Sequence, residues 1–486
     1  MLFPATSITW QSPKKSKASA AIIARQDRIP VWALSHLFIG VIGLGFLFTF
    51  FDIGDINVSF IQTCLEIVPH CLPQTASHAL GLPVLTNLAG YVVGALLFGP
   101  LADHYGRRDL LVLTMVITGL GSLYTVFVGD YTHFVIARTI TGIGIGADLA
   151  LVNTYLNEMA PNQGRARYTA LIFILAQIGT ILGVWSGLVL STTPAPFPLG
   201  LPFAVASPTF VIGWRIIYAI GASLAIFGLL LRFKLPESPR WLISQGRLAD
   251  AERVVSAMEK QAIKCIGKLP PVNAELPIRK ITHSTGYTEI FGSALYLKRT
   301  ILLLVIWLTG YITVYCVIAG LTVILATLGY PASEAGLIAA VGTAGSIFAG
   351  IIAYCFGERL ESKFWILISA LLTLLGGILI ALSGSQLVLA FLGSSIIAIG
   401  SYLWLPLTYT WSTENYPTRA RVSGFALVDG VGHIGGGIGV NFIASFALKL
   451  GAFPTFLLIS LFLLLAAGLA QFGPATRRKR LDEVSP

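Results

Sequence analysis

"GPLADHYGRRDLL", residues 99–111, is a charged island set between two long apolar runs. Asp103, Arg107 and Arg108 crowd together, and Gly99 and Gly106 permit the tight turns of a short connection between two helices. The runs it joins, at roughly 80–101 and 109–129, are each about 20 residues long. At about 1.5 Å per residue, that is enough to cross hydrocarbon as a helix. The island is therefore the turn of a transmembrane helical hairpin.

The same pattern repeats along the chain. Of the 486 residues, 55% are hydrophobic and only 11% are charged, and the mean hydropathy is +0.80. A soluble protein would carry about a quarter charged residues. Apolar runs at 31–62, 80–101, 109–129, 132–158, 167–191, 211–232, 300–328, 333–356, 364–383, 386–412, 421–447 and 452–473 give twelve spans. The fold class is an all-α membrane protein built as two six-helix bundles. The expected organisation is an N-terminal tail (1–30), a first bundle (31–232), a linker (233–299), a second bundle (300–473) and a C-terminal tail (474–486). Within the linker, "GRLADAERVVSAMEK" (246–260) reads as an amphipathic helix. Six spans, a hydrophilic hinge and six more is the layout of transporters whose site lies between two repeats.

The net charge of +10 invites a nucleic-acid reading, which its distribution excludes. Basic clusters such as "KKSK", "GRRD", "GRAR", "TRAR" and "RRKR" occupy alternate connections, whereas "CLEIVPHCLPQTASH" (64–78) and "STTPAPFPLGLPFAVASP" (191–208) hold no Lys or Arg. This is the positive-inside pattern. It predicts a multi-pass protein of the cell membrane with both termini cytoplasmic. The first 30 residues are polar and basic and show no cleavable signal peptide. Five cysteines show no metal spacing; Cys64 and Cys71 share one external loop and can form a disulfide, and Cys265, Cys316 and Cys355 read as lone thiols. No nucleophile–base constellation or nucleotide-binding loop is present, so neither an enzyme nor an ATP-driven pump is indicated. No cofactor or metal is expected. The expected partners are a small-molecule substrate, protons and membrane lipids, and the chain is expected to act as a monomer.

Motifs narrow the class. The 99–111 island resembles the G-x-x-x-D-x-x-G-R-R signature of the major facilitator superfamily, and "FGERLESK" (356–363) resembles a degraded copy in the second half. "RTITGIGIG" (138–146) with "YLNEMAPNQGRAR" (155–167), "PESPRWL" (236–242) and "LWLPLTYTWSTENYPTRAR" (403–421) resemble the sugar-porter branch. The resemblance implies that Asp103, Arg107 and Arg108 hold one conformational state. It gives the same gating work to Glu158, Arg165, Glu237, Arg240, Glu414 and Arg421. It also places Gln177 where sugar porters carry a fifth-span glutamine, and it supports Trp404 as a cavity residue. The seventh span, "VIWLTGYITVYCVIAGLTVIL" (305–325), departs from the sugar pattern. It lacks the glutamine pair and asparagine, and its Trp307, Tyr311 and Tyr315 look more like the aromatic seventh span of organic-ion and metabolite transporters. Asp148 resembles the fourth-span acid of phosphate:proton symporters. Their seventh-span acid and eleventh-span lysine are missing here, which disfavours phosphate.

Two carboxylates, Asp52 and Asp55, interrupt the first span at "LFTFFDIGDINVSF" (47–60). Each ionised acid in hydrocarbon costs on the order of several kcal/mol. Arg138 lies roughly 9 Å below the outer end of the fourth span, at the depth of these acids. Asp55 is therefore expected to pair with Arg138, and Asp52 to face a wet cavity or cap a neighbouring helix. The resemblance implies proton coupling for such a pair. Asp429 and His433 lie one turn apart on one face and can bind a polar substrate or pass protons. The expected function is proton-coupled uptake of a sugar or similar polar metabolite by alternating access. The rivals are an organic acid or organic cation carrier and, from another class, a non-transporting nutrient sensor. A sensor would need a long signalling tail, and only about a dozen residues follow the last span.

Overall fold

The computed structural model describes residues 13–33, 36–161, 165–272, 286–417, 420–477 and 484–485. Among them, twelve helices are long and apolar enough to cross a membrane. The first half holds Gly40–Ile67, Ala76–Gly99, Arg107–Phe127, Tyr131–Asn153, Arg167–Ser191 and Gly213–Arg232. The second holds Ala294–Ile318, Ala332–Arg359, Ser362–Ser383, Leu387–Glu414, Ser423–Leu450 and Ala452–Ala470. Helices suit this sequence because hydrocarbon offers no partner for a backbone N–H or C=O, and a helix satisfies both internally.

Small residues set how the helices meet. In "GIGIG", a Cβ on Gly142 would lie 2.0 Å from the Asn87 carbonyl oxygen, and one on Gly146 would lie 2.1 Å from that of Tyr91. Gly90 and Gly94 on the second span face the fourth span as closely, since their Cβ atoms would meet the Thr139 and Ile143 carbonyls at 2.5 and 2.0 Å. Two glycine pairs, each spaced by four residues, let these backbones touch. The halves join where the second span packs on the eleventh and the fifth on the eighth.

Three elements depart from the expected spans. The seventh begins at Ala294 and stops at Ile318, and a short helix, Leu321–Thr327, follows a break at Ala319 and Gly320. The eleventh contains one π-helical turn, Ala426–Gly430, where a single uniform helix was expected. The N-terminal tail forms a helix, Pro13–Asp27, which the polar composition hid. It packs on the linker helix Leu248–Ile266, where Arg25 and Arg28 grip Glu259 at 2.7 and 2.6 Å. Partial burial pushes the Glu259 carboxyl upward, but hydrogen bonds from the two arginines win and hold it below its ordinary range. Cys64 and Cys71 form a disulfide on the face opposite the termini.

Candidate transport site

The first half buries two separate ion clusters. In the outer one, the Arg138 guanidinium lies 3.1 Å from the Asp52 carboxylate and 3.9 Å from that of Asp55. Arg138 also donates to the Asp52 backbone carbonyl at 3.0 Å, and Ser122 donates to the Asp52 carboxylate at 3.0 Å. All three charged side chains are at most 2% exposed. Tyr218 closes the site, its ring centre 5.4 Å from the Arg138 guanidinium carbon. The sequence reading of Asp52 is thus corrected: it faces no water, and it is the nearer partner of Arg138. Depth alone cannot rank two acids three residues apart, because rotation about the helix axis decides which one points at the base. Asp55, the expected partner, stands second, and neither of its carboxylate oxygens has a hydrogen-bond partner among the described residues.

The inner cluster holds Asp148, which the sequence placed among the substrate-binding groups. Its carboxylate forms a two-pronged ion pair with Arg232, one bond of 3.0 Å, and accepts from Thr114 at 2.8 Å. Arg232 also donates to the Leu111 carbonyl at 2.8 Å. Asp148 is thus engaged within its own bundle. Arg232 was missed because it is the last residue of the sixth span, where an arginine ordinarily marks the end of hydrocarbon.

Where the halves meet, aromatic side chains dominate. Trp307 stacks on Tyr311 at 5.0 Å and lies 5.0 Å from Trp404, and Tyr315 lies 5.9 Å from Tyr311. Tyr311 donates to the Asp429 carboxylate at 2.5 Å and shares a 3.2 Å hydroxyl contact with Tyr409. His433 lies between Tyr311 and Tyr91, with ring centres at 3.9 and 4.3 Å. The structure therefore brings Tyr311, Tyr315, Trp404, Asp429 and His433 together. It adds Tyr91 and Tyr409, which nothing in the sequence set apart from other aromatics. Gln177 is buried on the fifth span, and its Oε1, like the Trp404 indole nitrogen, has no hydrogen-bond partner among the described residues. Such unspent donors and acceptors suit a hydroxylated ligand.

The space between the halves is narrow. A cavity of about 20 Å³, lined in part by Asn57, Thr180, Ile318, Thr343 and Tyr402, has room for little more than a water. Asn57 fastens it on the outer side. Its amide donates to the carbonyls of Val317 and Ile318 at 3.2 and 2.6 Å, and its oxygen accepts from the Thr322 N–H and hydroxyl at 3.2 and 2.6 Å. One side chain of the first span thus satisfies both ends of the break in the seventh.

On the face that bears the termini, Glu237 accepts from the backbone N–H groups of Arg107 and Arg108 at 3.1 and 3.2 Å, capping the third span. A carboxylate at a helix N-terminus is favoured by the orphan N–H groups and the helix dipole. Burial nonetheless pushes the Glu237 carboxyl above its usual range, against the pull of those N–H groups. Gly106, at φ +110°, makes the turn, and a Cβ there would strike Glu237 at 2.5 Å. Arg107 pairs with Glu158 at 3.3 Å, and Arg240 with Asp27 at 2.8 Å. Arg421 donates to the Thr413 and Tyr416 carbonyls, and the Glu414 carbonyl accepts from Ser485. The side chains of Asp103 and Arg165 lie outside the described residues.

Twelve spans in two bundles around a closed midplane define a secondary transporter, not an enzyme. Residues 37–486 match the family "Sugar (and other) transporter", and the chain belongs to that family, within the major facilitator fold. The inner membrane metabolite transport protein YdjE of Escherichia coli is 25% identical over 95% of this chain and 98% of its own. The niacin transporter NiaP of Acinetobacter baylyi is 24% identical over 95% and 99%. The structure of the proton:xylose symporter XylE superposes with a TM-score of 0.70 at 20% identity, covering 96% of this chain and 99% of that one.

Proposed function

We propose that this transporter couples protons to the uptake of a sugar or similar small polar metabolite, with both termini in the cytoplasm. The observation that carries this reading is the outer ion cluster, in which two buried carboxylates share one guanidinium. Fully ionised, the cluster holds one uncompensated negative charge in a dry interior, and such a charge is expensive. One bound proton balances it. Asp52 is committed to Arg138 and Ser122, so Asp55, whose carboxylate has no hydrogen bond among the described residues, is the acid that takes the proton.

Asn57 lies two residues beyond Asp55 and grips the break in the seventh span. A shift of the first span on protonation therefore reaches the outer half of the seventh span directly. Substrate enters between the halves, where Gln177 and Trp404 present unpaired polar atoms to hydroxyl groups, and the gate residues on the termini face close the far side. Aromatic organic acids are the second reading, favoured by the Trp307–Tyr311–Trp404 cluster and by the niacin relative. Uptake into proteoliposomes, with a panel of sugars and organic acids and with or without an imposed pH gradient, decides between them. Accumulation of an aromatic acid and of no sugar overturns the sugar reading.

A further inference from the structure

We infer that His433 is a second proton-binding site, separate from the Asp52–Asp55–Arg138 cluster, and that its protonation clamps the two halves together on the termini side. The inference rests on how the ring is held. Its Nδ1 lies 2.7 Å from the Asp429 backbone carbonyl, which can only accept, so Nδ1 carries a hydrogen and Nε2 is the nitrogen that gains or loses a proton. The Asp429 carboxylate lies 3.8 Å from the same ring. The imidazole is stacked between Tyr311 of its own half and Tyr91 of the other, at 3.9 and 4.3 Å, with planes 34° and 25° from parallel.

The groups facing the ring leave this assignment clear. The seventh span contributes Tyr311 and Tyr315, the second contributes Tyr91, and the eleventh contributes Asp429, while Tyr409 of the tenth reaches the Tyr311 hydroxyl behind them. Beyond Tyr91 lies Asp148, already matched by Arg232. The last span and the short helix Leu321–Thr327, which also pack on the eleventh, contain no titratable residue. Among the described residues no arginine or lysine pairs with Asp429, so a proton on Nε2 supplies the balancing charge. It also turns a ring stack into a cation between two tyrosine faces, an interaction that strengthens when dry. Tyr91 belongs to the first half, so this added attraction acts across the interface between the halves. His433 lies about 15 Å along the eleventh span from its start at Ser423, on the termini side of the midplane. Acidification therefore favours the arrangement closed on that side, whatever the state of Asp55.

The test reads distance, so it needs no knowledge of the substrate. Spin labels replace the exposed Lys234 and Lys298 at the termini face of the two halves, in full-length protein whose free cysteines Cys265, Cys316 and Cys355 are serine. The protein is reconstituted and distance distributions are measured from pH 8 to pH 5.5. The closed-to-open ratio should rise roughly threefold to thirtyfold on acidification. The rise should persist in Asp55→Asn, disappear in both His433→Phe and His433→Gln, and survive Tyr91→Phe but not Tyr91→Leu. A rise that persists in the two His433 variants, or its absence from the parent protein, overturns the assignment. Loss of the rise in Asp55→Asn with His433 intact does so as well, and traces the response to the first-span acids.

Discussion

The two ion clusters of the first half are built from the same parts and come to opposite ends. Asp148 and Arg232 are matched one to one, with Thr114 and the Leu111 carbonyl taking up spare hydrogen-bonding capacity. Asp52, Asp55 and Arg138 are two acids to one base, and the second acid's carboxylate has no hydrogen bond among the described residues. Burial is equal in both, so burial does not distinguish a brace from a switch. Stoichiometry and satisfaction do. A charge-matched cluster whose carboxylate is bonded on both oxygens has nothing to gain from a proton, whereas one with an acid in excess does.

The sharpest way to break this comparison is to unbalance the brace. Asp148→Ala leaves Arg232 buried without its partner, at a cost of roughly 3–5 kcal/mol. Its folded yield and thermal midpoint in detergent should fall far below those of the parent, and Asp148→Leu with Arg232→Met should recover much of the loss. A well-folded Asp148→Ala protein would show that the brace is no brace. Next in size, Asp55→Asn should fold normally and lose gradient-driven accumulation, about tenfold per pH unit for one coupled proton, while keeping exchange. Unchanged accumulation would sink the coupling role.

Asn57→Ala tests whether the switch reaches the outer gate. It unpairs the backbone groups at the seventh-span break and should lower stability by roughly 1–3 kcal/mol, with faster thiol labelling of a Thr322→Cys reporter. Labelling at the parent rate would detach the gate from the first span. The smallest effect is expected at Glu259, where a partly exposed pair marks the wet limit of the series. Glu259→Gln should weaken docking of the N-terminal helix by about 0.3–1 kcal/mol. Because its folded-state carboxyl is lowered by Arg25 and Arg28, the contribution is complete above the ordinary glutamate range and fades as pH falls through the lowered value. Protease nicking near Asp27 should therefore stay slow at pH 5 and quicken toward pH 3.

The architecture was legible because hydropathy and loop charge both vary on the scale of a whole span. The site was legible only in part. Asp52, Asp55 and Arg138 announce themselves as charges in hydrocarbon, and axial depth brings them level. Which acid meets the base depends on helix rotation and on a serine from the third span, neither of which a single sequence encodes locally. Arg232 and Asn57 were hidden for different reasons. One sits where an arginine usually marks a boundary, and the other is an uncharged residue whose task exists only because the seventh span breaks opposite it. The break at Ala319 and Gly320 left no proline to betray it.

The Glu237 cap has one more consequence. The first N–H groups of the third span are sealed by a side chain from the segment that links the halves. Each of those bonds is one that water can replace at little loss. On the termini face, the ends of the third and sixth spans are thus fastened by hydrogen bonds that water can take over when those ends part. A closure made this way resembles a zip fastener: any tooth is easily parted, and all of them rejoin when the edges come back together.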